Sequence, residues 1–320
     1  MNLFTSLRYL AALHQHKHFG RAADACHITQ PAFSNAIRAL EEEFGTAIVK
    51  RGRAFESFTP EGERIFISAQ RMLHEQEMLL QDLKGKSDQP VGALTLGAVP
   101  SVMPIAARFA GYLHARHPGL SLTVRSMSSQ EIESGLENLL VDLGLGYTDR
   151  LKSRAAKLAT IHQYTERYFL LRRAVKPGRA GLGMVSHPMS WEAASKLPLC
   201  LLTPEMHNRS IVDATFRQIG IHVDPVIETN SILTLGLTVL VGEVYSILPG
   251  ALVAVLQGYA ELEAVPLVDP DVMTPIGFMF TNSDRRSNAM RAALAMATDA
   301  EWLAHMAAHV GLLGIAATNG

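Results

Sequence analysis

Four polar side chains, Gln30, Ser34, Asn35 and Arg38, crowd the early turns of one predicted helix whose other face carries Phe33, Ile37, Leu40 and Phe44. Short amide and hydroxyl groups can donate to and accept from base edges, and a guanidinium suits a phosphate. Thr29 is placed to cap this helix, and Pro31 fits a first turn whose N–H groups have no intrahelical partner. Further on, Lys50, Arg51 and Arg53 make a basic turn between short extended pieces, suited to lie along a phosphate backbone. The expected DNA-contacting set is therefore Thr29, Gln30, Pro31, Ser34, Asn35, Arg38, Lys50, Arg51 and Arg53.

Positioning these groups needs supporting elements. Leu3, Leu7, Leu10 and Ala11 repeat at helical spacing, and Phe19, Ala22, Ala23 and Cys26 do the same over a shorter span, with a break at His27-Ile28 before the capped helix. Helix, turn and helix followed by a basic hairpin is the order of a winged helix-turn-helix. From Pro60 to about Lys86 two apolar stripes can be drawn, Ile65-Ala69-Met72-Gln76-Leu79-Leu83 and Phe66-Ala69-Leu73-Gln76-Leu80-Leu83. A helix of that length runs roughly 40 Å, more apolar surface than one small domain covers, so a partner helix and a dimer are expected.

Composition bounds the alternatives. The 320 residues allow two or three folded units, and 48% hydrophobic with 18% charged residues fits an ordinary globular protein. The formal net charge of −1 gives DNA binding no help, but residues 1–40 carry Arg8, Lys17, Arg21 and Arg38 against Asp24 alone. The first residues lack the apolar core of a signal peptide, so a cytoplasmic protein without a membrane partner is expected. Cys26 and Cys200 fall in different predicted domains, which argues against a disulfide framework. The 13 histidines are scattered, with no metal motif and no phosphate-binding glycine loop, so neither an enzyme nor a bound metal or cofactor is expected.

After a polar, breaker-rich hinge at Gly85 to Pro90, strand and helix patterns alternate. Leu94 to Ala98 and Leu120 to Val124 read as strands, with Ile105, Phe109 and Leu113 on a helix between them. Ser128-Ser129-Gln130-Glu131 reads as a capping box opening a helix with Ile132, Leu136 and Leu139, before Leu143 to Gly146. This order implies parallel α/β units. It continues through Tyr168 to Leu171, Leu199 to Leu202, a helix from Ser210 to Ile219, Val226 to Glu228, a helix from Ile232 to Val241, Tyr245 to Leu248 and Ile276 to Phe280.

Phe19-Gly20-Arg21-Ala22-Ala23, Thr29-Gln30-Pro31-Ala32-Phe33-Ser34 and Ile37 to Gly45, followed by Thr59-Pro60-Glu61-Gly62, closely resemble the LysR-type transcriptional regulators. Asn35-Ala36 stands where that family often has Arg-Gln, and Ile48-Val49-Lys50-Arg51 replaces its Leu-Phe-x-Arg. The resemblance implies an N-terminal winged helix-turn-helix over 1–59 and a linker helix over 60–86. Beyond these it implies a two-lobed α/β effector domain similar to type 2 periplasmic binding proteins, with lobe I from 91–161 plus 266–300, lobe II from 162–265 and a tail helix over 301–320. It implies double-stranded promoter DNA as partner, a homo-oligomer paired through the linker and extending to a tetramer, and RNA polymerase as a possible further partner. It also implies effector contacts in the interlobe cleft from Ser101, Val102, Met103, Ser129, Thr203, Asn208 and Ser231. Hydroxyls and N–H groups at helix starts suit a small organic anion. The alternatives are a ligand-independent or redox-responsive regulator of the same kind and, outside it, a solute-binding protein or an enzyme built on the α/β lobes.

Overall fold

The computed structural model describes residues 2–51, 55–84, 90–154, 157–175, 181–185, 187–283 and 285–309. The chain divides into two compact units, Met1–Ser87 with Glu137–Leu140, and Asp88–Leu136 with Val141–Gly320. Among the described residues no helix is long and apolar enough to cross a membrane.

The first unit opens with α1 (Leu3–His16), whose start is capped by the Asn2 carboxamide accepting from the Thr5 N–H. It buries Leu7, Leu10 and Leu13, whereas Leu3, expected in the stripe, lies on the first turn and stays exposed. Helices α2 (Phe19–Ala25) and α3 (Gln30–Phe44) follow, and Ala22, Ala23, Phe33, Ile37 and Leu40 complete the core. Phe44, expected inside, is exposed, because Gly45 at φ 64° turns the chain away at the helix end. Strands β1 (Val49–Arg51) and β2 (Phe55–Phe58) pair antiparallel, with Val49 opposite Phe58.

Helix α4 (Pro60–Lys84) starts on a double-duty threonine. The Thr59 hydroxyl donates to the Ala47 carbonyl at 2.6 Å and accepts from the Gly62 N–H at 2.9 Å, fixing the helix entry against the strand segment before the wing. Gly62 has no alternative: a Cβ there would sit 2.0 Å from the Ile48 carbonyl oxygen. Phe66 and Ala69 are buried in the core shared with α1, His14 stacks on Phe66 at 3.7 Å, and Arg8 donates to Gln76 at 3.2 Å. One expected stripe thus faces the unit's own core over its first turns, while Met72, Leu79 and Leu80 remain exposed. The side chain of Leu83, Lys86 and the hinge glycine Gly85 lie outside the described residues.

The second unit begins with β3 (Gly92–Ala98), α5 (Met103–Arg116), β4 (Leu120–Ser126), α6 (Ser129–Glu137), β5 (Leu143–Tyr147) and β6 (Leu158–Glu166). A second run comprises β7 (Tyr168–Arg173), β8 (Gly183–Met184), β9 (Met189–Ser190), α7 (Trp191–Ser195), β10 (Leu199–Leu202), α8 (His207–Gln218), β11 (Ile227–Thr229), α9 (Ile232–Val241), β12 (Tyr245–Pro249), α10 (Gly250–Val255) and β13 (Leu262–Val268). The chain then returns through β14 (Thr274–Thr281), α11 (Asn288–Ala297) and α12 (Ala300–Ala307).

Two sheets result. One has the order β4-β3-β5-β14-β6, with β3 parallel to both β4 and β5, and the other runs β11-β10-β12-β7-β13-β8. Each is the centre of a lobe, the first covered by Ile105, Phe109, Ile132 and Leu136, the second by clusters around Leu235 and Trp191. The expected lobe boundaries at 161/162 and 265/266 fall inside β6 and β13, because Glu166 still pairs with Thr274 and Leu267 with Met189. Helix α6 ends at Glu137, short of Leu139, which adopts φ 57°. Trp302 and Met306 of α12 are buried in the first lobe's core, and the rest of the expected tail helix from residue 310 lies outside the described residues.

Gly62→Ala is expected to destabilise the first unit by about 1–3 kcal/mol, the usual cost of forcing extra volume into a closed contact. Denaturant unfolding followed by far-UV circular dichroism measures it, and Ala at the open position Gly111 serves as the control.

Candidate functional site

Two regions gather the predicted chemistry, one in each unit. In the first, α2 and α3 are joined by a tight turn through His27 at φ 56°. The His18 Nδ1 accepts from the Arg21 N–H at 3.2 Å to cap α2, and the Thr29 hydroxyl accepts from the Ala32 N–H at 3.4 Å to cap α3. Phe33 anchors α3 from below, tilted against Tyr9 and edge-on to Phe19. Thr29, Gln30, Pro31, Asn35 and Arg38 are exposed, and Ser34 is half-buried, so the polar side chains share an open helix face. Lys50 is exposed on β1, opposite Ser57. Arg51 lies on β1, but its side chain and the whole of Arg53 are outside the described residues.

The wing is tied to this helix by Glu41, whose carboxylate accepts from the N–H groups of Ile48 at 2.9 Å and Val49 at 3.2 Å. The contact that recruits it is tertiary.

In the second unit a cavity of about 620 Å³ opens where the two lobes meet. Its walls are the segment after β3, the starts of α6 and α8, and the residues following β5. Ser101, Ser129 and Asn208 line it. The other expected effector contacts do not. Val102 is fully buried in the first lobe's core and Met103 packs against it. The Thr203 hydroxyl donates to the Glu205 carboxylate at 2.7 Å, and the Ser231 hydroxyl accepts from the Thr234 N–H as the cap of α9. The Thr203 and Ser231 hydroxyls are thus engaged in local structure outside the cavity lining.

Residues absent from the sequence expectation take their place. Tyr147, at the end of β5, bonds the Ser101 hydroxyl at 2.9 Å, and its ring meets His207 edge-on at 4.5 Å across the lobes. Arg150 reaches Glu133 at 3.4 Å and His207 Nδ1 at 3.3 Å. A guanidinium only donates, so Nδ1 accepts and the proton sits on Nε2. Burial, then the nearby Arg150 charge, push the His207 pKa down, keeping the ring neutral. Helix α8 starts three residues before the expected Ser210, which puts His207 and Asn208 on its first turn.

The first turns are where unpaired N–H groups face the cavity. Helix α6 is framed by a reciprocal box: the Ser128 hydroxyl accepts from the Glu131 N–H, and the Glu131 carboxylate accepts from the Ser128 N–H at 2.8 Å. Helix α8 has no side-chain cap. Three buried polar atoms of lining residues, Ser129 Oγ, Asn208 Oδ1 and His207 Nε2, have no hydrogen-bond partner among the described residues. Leaving such groups unpaired costs stability, and a ligand that pairs them recovers it.

Behind the cavity lies a buried carboxyl. Glu166 accepts from the Tyr164 hydroxyl at 3.0 Å and from the Ala251 N–H at 3.3 Å, and burial pushes its pKa up to about 8 against an ordinary 4.5. Burial also raises Tyr147 and Tyr164, each with the Glu166 charge as a further cause.

Comparison with known proteins places this architecture. Residues 4–63 match the model of the bacterial regulatory helix-turn-helix proteins of the lysR family, and residues 87–302 match the LysR substrate binding domain. The chain belongs to the LysR family of transcriptional regulators. Among curated relatives, it is 31% identical over 137 residues to the DNA-binding transcriptional dual regulator OxyR of Escherichia coli (strain K12), covering 42% of this chain and 45% of that protein. It is 33% identical over 153 residues to the SDS degradation transcriptional activation protein of a Pseudomonas species, covering 45% and 49%. The chain thus spans about half the length of the curated relatives it matches. Its fold is that of full-length OxyR from Pseudomonas aeruginosa, with a TM-score of 0.67 at 23% identity and 98% of both chains covered. It is likewise that of CbnR solved with its target DNA, with a TM-score of 0.64 at 17% identity, covering 91% of this chain and 97% of that one.

Folded Glu166 binds a proton more tightly than it does in the unfolded chain, so its contribution is fully present below pH 4.5 and lost as the pH rises through about 8. The thermal midpoint of the second unit should fall by several degrees between pH 6 and pH 9, and Glu166→Gln should flatten that dependence. Differential scanning calorimetry of both proteins across that range checks it.

Proposed function

We propose that this protein is a sequence-specific DNA-binding transcription regulator whose hold on DNA is set by a small organic effector bound in the interlobe cavity. The observation that carries the reading is that one chain holds both an open, capped recognition helix and a cavity lined by buried polar atoms without partners. Gln30, Ser34 and Asn35 would read base edges, while Arg38, Lys50, Arg51 and Arg53, with Thr29 and Pro31 at the helix start, would hold the phosphate backbone. The first turns of α6 and α8 and the Arg150 guanidinium suit an acidic group on the effector. The exposed Met72, Leu79 and Leu80 along α4 favour pairing of two copies, so that two helices address two half-sites, with further assembly to a tetramer. Such a protein works in the cytoplasm, on promoter DNA and beside RNA polymerase.

Effector binding is favoured over thiol sensing by the cysteines. The chain has two, Cys26 in the first unit and Cys200 in the second. Cys200 is fully buried on β10 with its thiol pushed up by burial, so it is neither accessible to an oxidant nor poised as a thiolate. Among the described residues no group of three His, Cys, Asp or Glu side chains could hold a metal ion.

Fluorescence anisotropy with the DNA upstream of the protein's own coding region, at moderate salt, tests the reading. Arg38→Ala should weaken binding to all sequences and reduce the salt slope by about one. Asn35→Ala should cost about 1–3 kcal/mol at its preferred base and relax the choice there. Equal retention of that DNA and an unrelated duplex by the unaltered protein overturns the proposal.

A further inference from the structure

The charges around the cavity do not add up to a plain anion site. Arg150 is its single lining Arg or Lys among the described residues, and its guanidinium is already engaged by Glu133, a buried carboxylate outside the lining. Two further carboxylates, Glu131 and Glu205, do line the cavity. Both stand at helix starts, Glu131 held in the capping box and Glu205 by the Thr203 hydroxyl, which keeps the Glu205 pKa low and the group ionised. His207 is neutral, so it does not redress the balance. Among the described residues the lining thus carries more carboxylates than cations, which disfavours a ligand whose only charge is negative, even though the helix starts attract a carboxylate locally.

The unpartnered atoms divide in the same way. His207 Nε2–H is a donor without an acceptor, and the start of α8, which has no side-chain cap, adds first-turn N–H donors, whereas at α6 the Glu131 N–H is already taken by Ser128. Asn208 Oδ1, on a side chain 5% exposed, is an acceptor and needs a donor. Ser129 Oγ, on a residue 7% exposed, can take either role. The apolar part of the wall is contributed by Val99, Pro100, Met127, Leu202 and Met206, with Ser126, Gln130 and Ser210 as further polar lining. At about 620 Å³ the space exceeds what a bare acid and amine would fill.

Resting on the reading of this cavity as the effector site, we propose that the effector is a zwitterion, an α-amino acid with an apolar side chain. Its carboxylate sits at the starts of α6 and α8 with His207 Nε2–H. Its ammonium donates to Asn208 Oδ1 and faces Glu205 and Glu131. Its side chain lies on the apolar wall, and the net charge brought into the cavity is zero.

Three matched series of probes test this on the full-length protein by isothermal titration: L-leucine and L-phenylalanine, their deaminated acids isocaproate and hydrocinnamate, and their decarboxylated amines isoamylamine and phenethylamine. At least one amino acid is expected to bind, with its acid and its amine each weaker by roughly tenfold or more, the loss expected from one charge-assisted hydrogen bond. Glu205→Gln keeps the acceptor for Thr203 and should cost the amino acid about the same factor while leaving the acid's affinity unchanged or improved. An acid that binds as tightly as its amino acid overturns the zwitterion and leaves the effector site standing. If no compound of any series binds, while DNA is still retained selectively, the zwitterion and the effector reading of this cavity both fall.

Discussion

Everything in the second unit depends on how the chain gets from one sheet to the other at β6 and β7. There Glu166 is sealed from water, and a buried carboxyl is tolerable only when hydrogen-bonded and relieved of its charge. The Tyr164 hydroxyl comes from the first lobe's sheet and the Ala251 N–H from α10, packed on the second, so the carboxyl is shared between lobes. Tyr147, whose titration feels the Glu166 charge, extends the cluster forward to Ser101 on the cavity wall. Joint and cavity are therefore one polar system, and a ligand at Ser101 lies one hydroxyl contact from Tyr147.

Helix starts supply the other half of the logic. Each leaves N–H groups without intrahelical partners, and the chain treats them differently according to place. At α2, α7, α9, α11 and α12 a side chain caps the start and closes the account locally. At α8 there is no cap, and the first turn faces the cavity. Helix α5 also starts without a side-chain cap, so what is particular to α8 is that its uncapped first turn lines the cavity, while Ser231 caps α9.

In the first unit the decisive contact is the approach of α4 to the segment before β1. Thr59 and Gly62 bring the helix within van der Waals range of Ile48, and Glu41 pins the same segment from α3. Helix α3, the β1–β2 hairpin and the start of α4 are thereby tied to one another through the Ile48 segment. These residues fall within or beside the stretch 4–63 that matches the lysR-family helix-turn-helix model.

Much of this was legible in the sequence, because periodicity and capping are local. The spacing of Phe33, Ile37 and Leu40, the cap at Thr29, the box at Ser128 and Glu131 and the parallel β3, β4 and β5 all follow from residues within a few positions of each other. Where local signals failed, a long-range contact or a chain reversal intervened: Phe44 lost its partner layer at Gly45, and β6 went on pairing with β14 past the expected boundary, through a register shift at Gly277. The cavity was the least legible part. Serines at helix starts could be named as candidates, but whether each hydroxyl is consumed by a cap or left for a ligand depends on neighbours far away in the chain. Arg150 meets His207 and Tyr147 meets Ser101 across 57 and 46 positions. The sequence by itself determined the elements, their order and the family; only the tertiary structure decided which polar groups are left unpaired, since that depends on every group that folds against them.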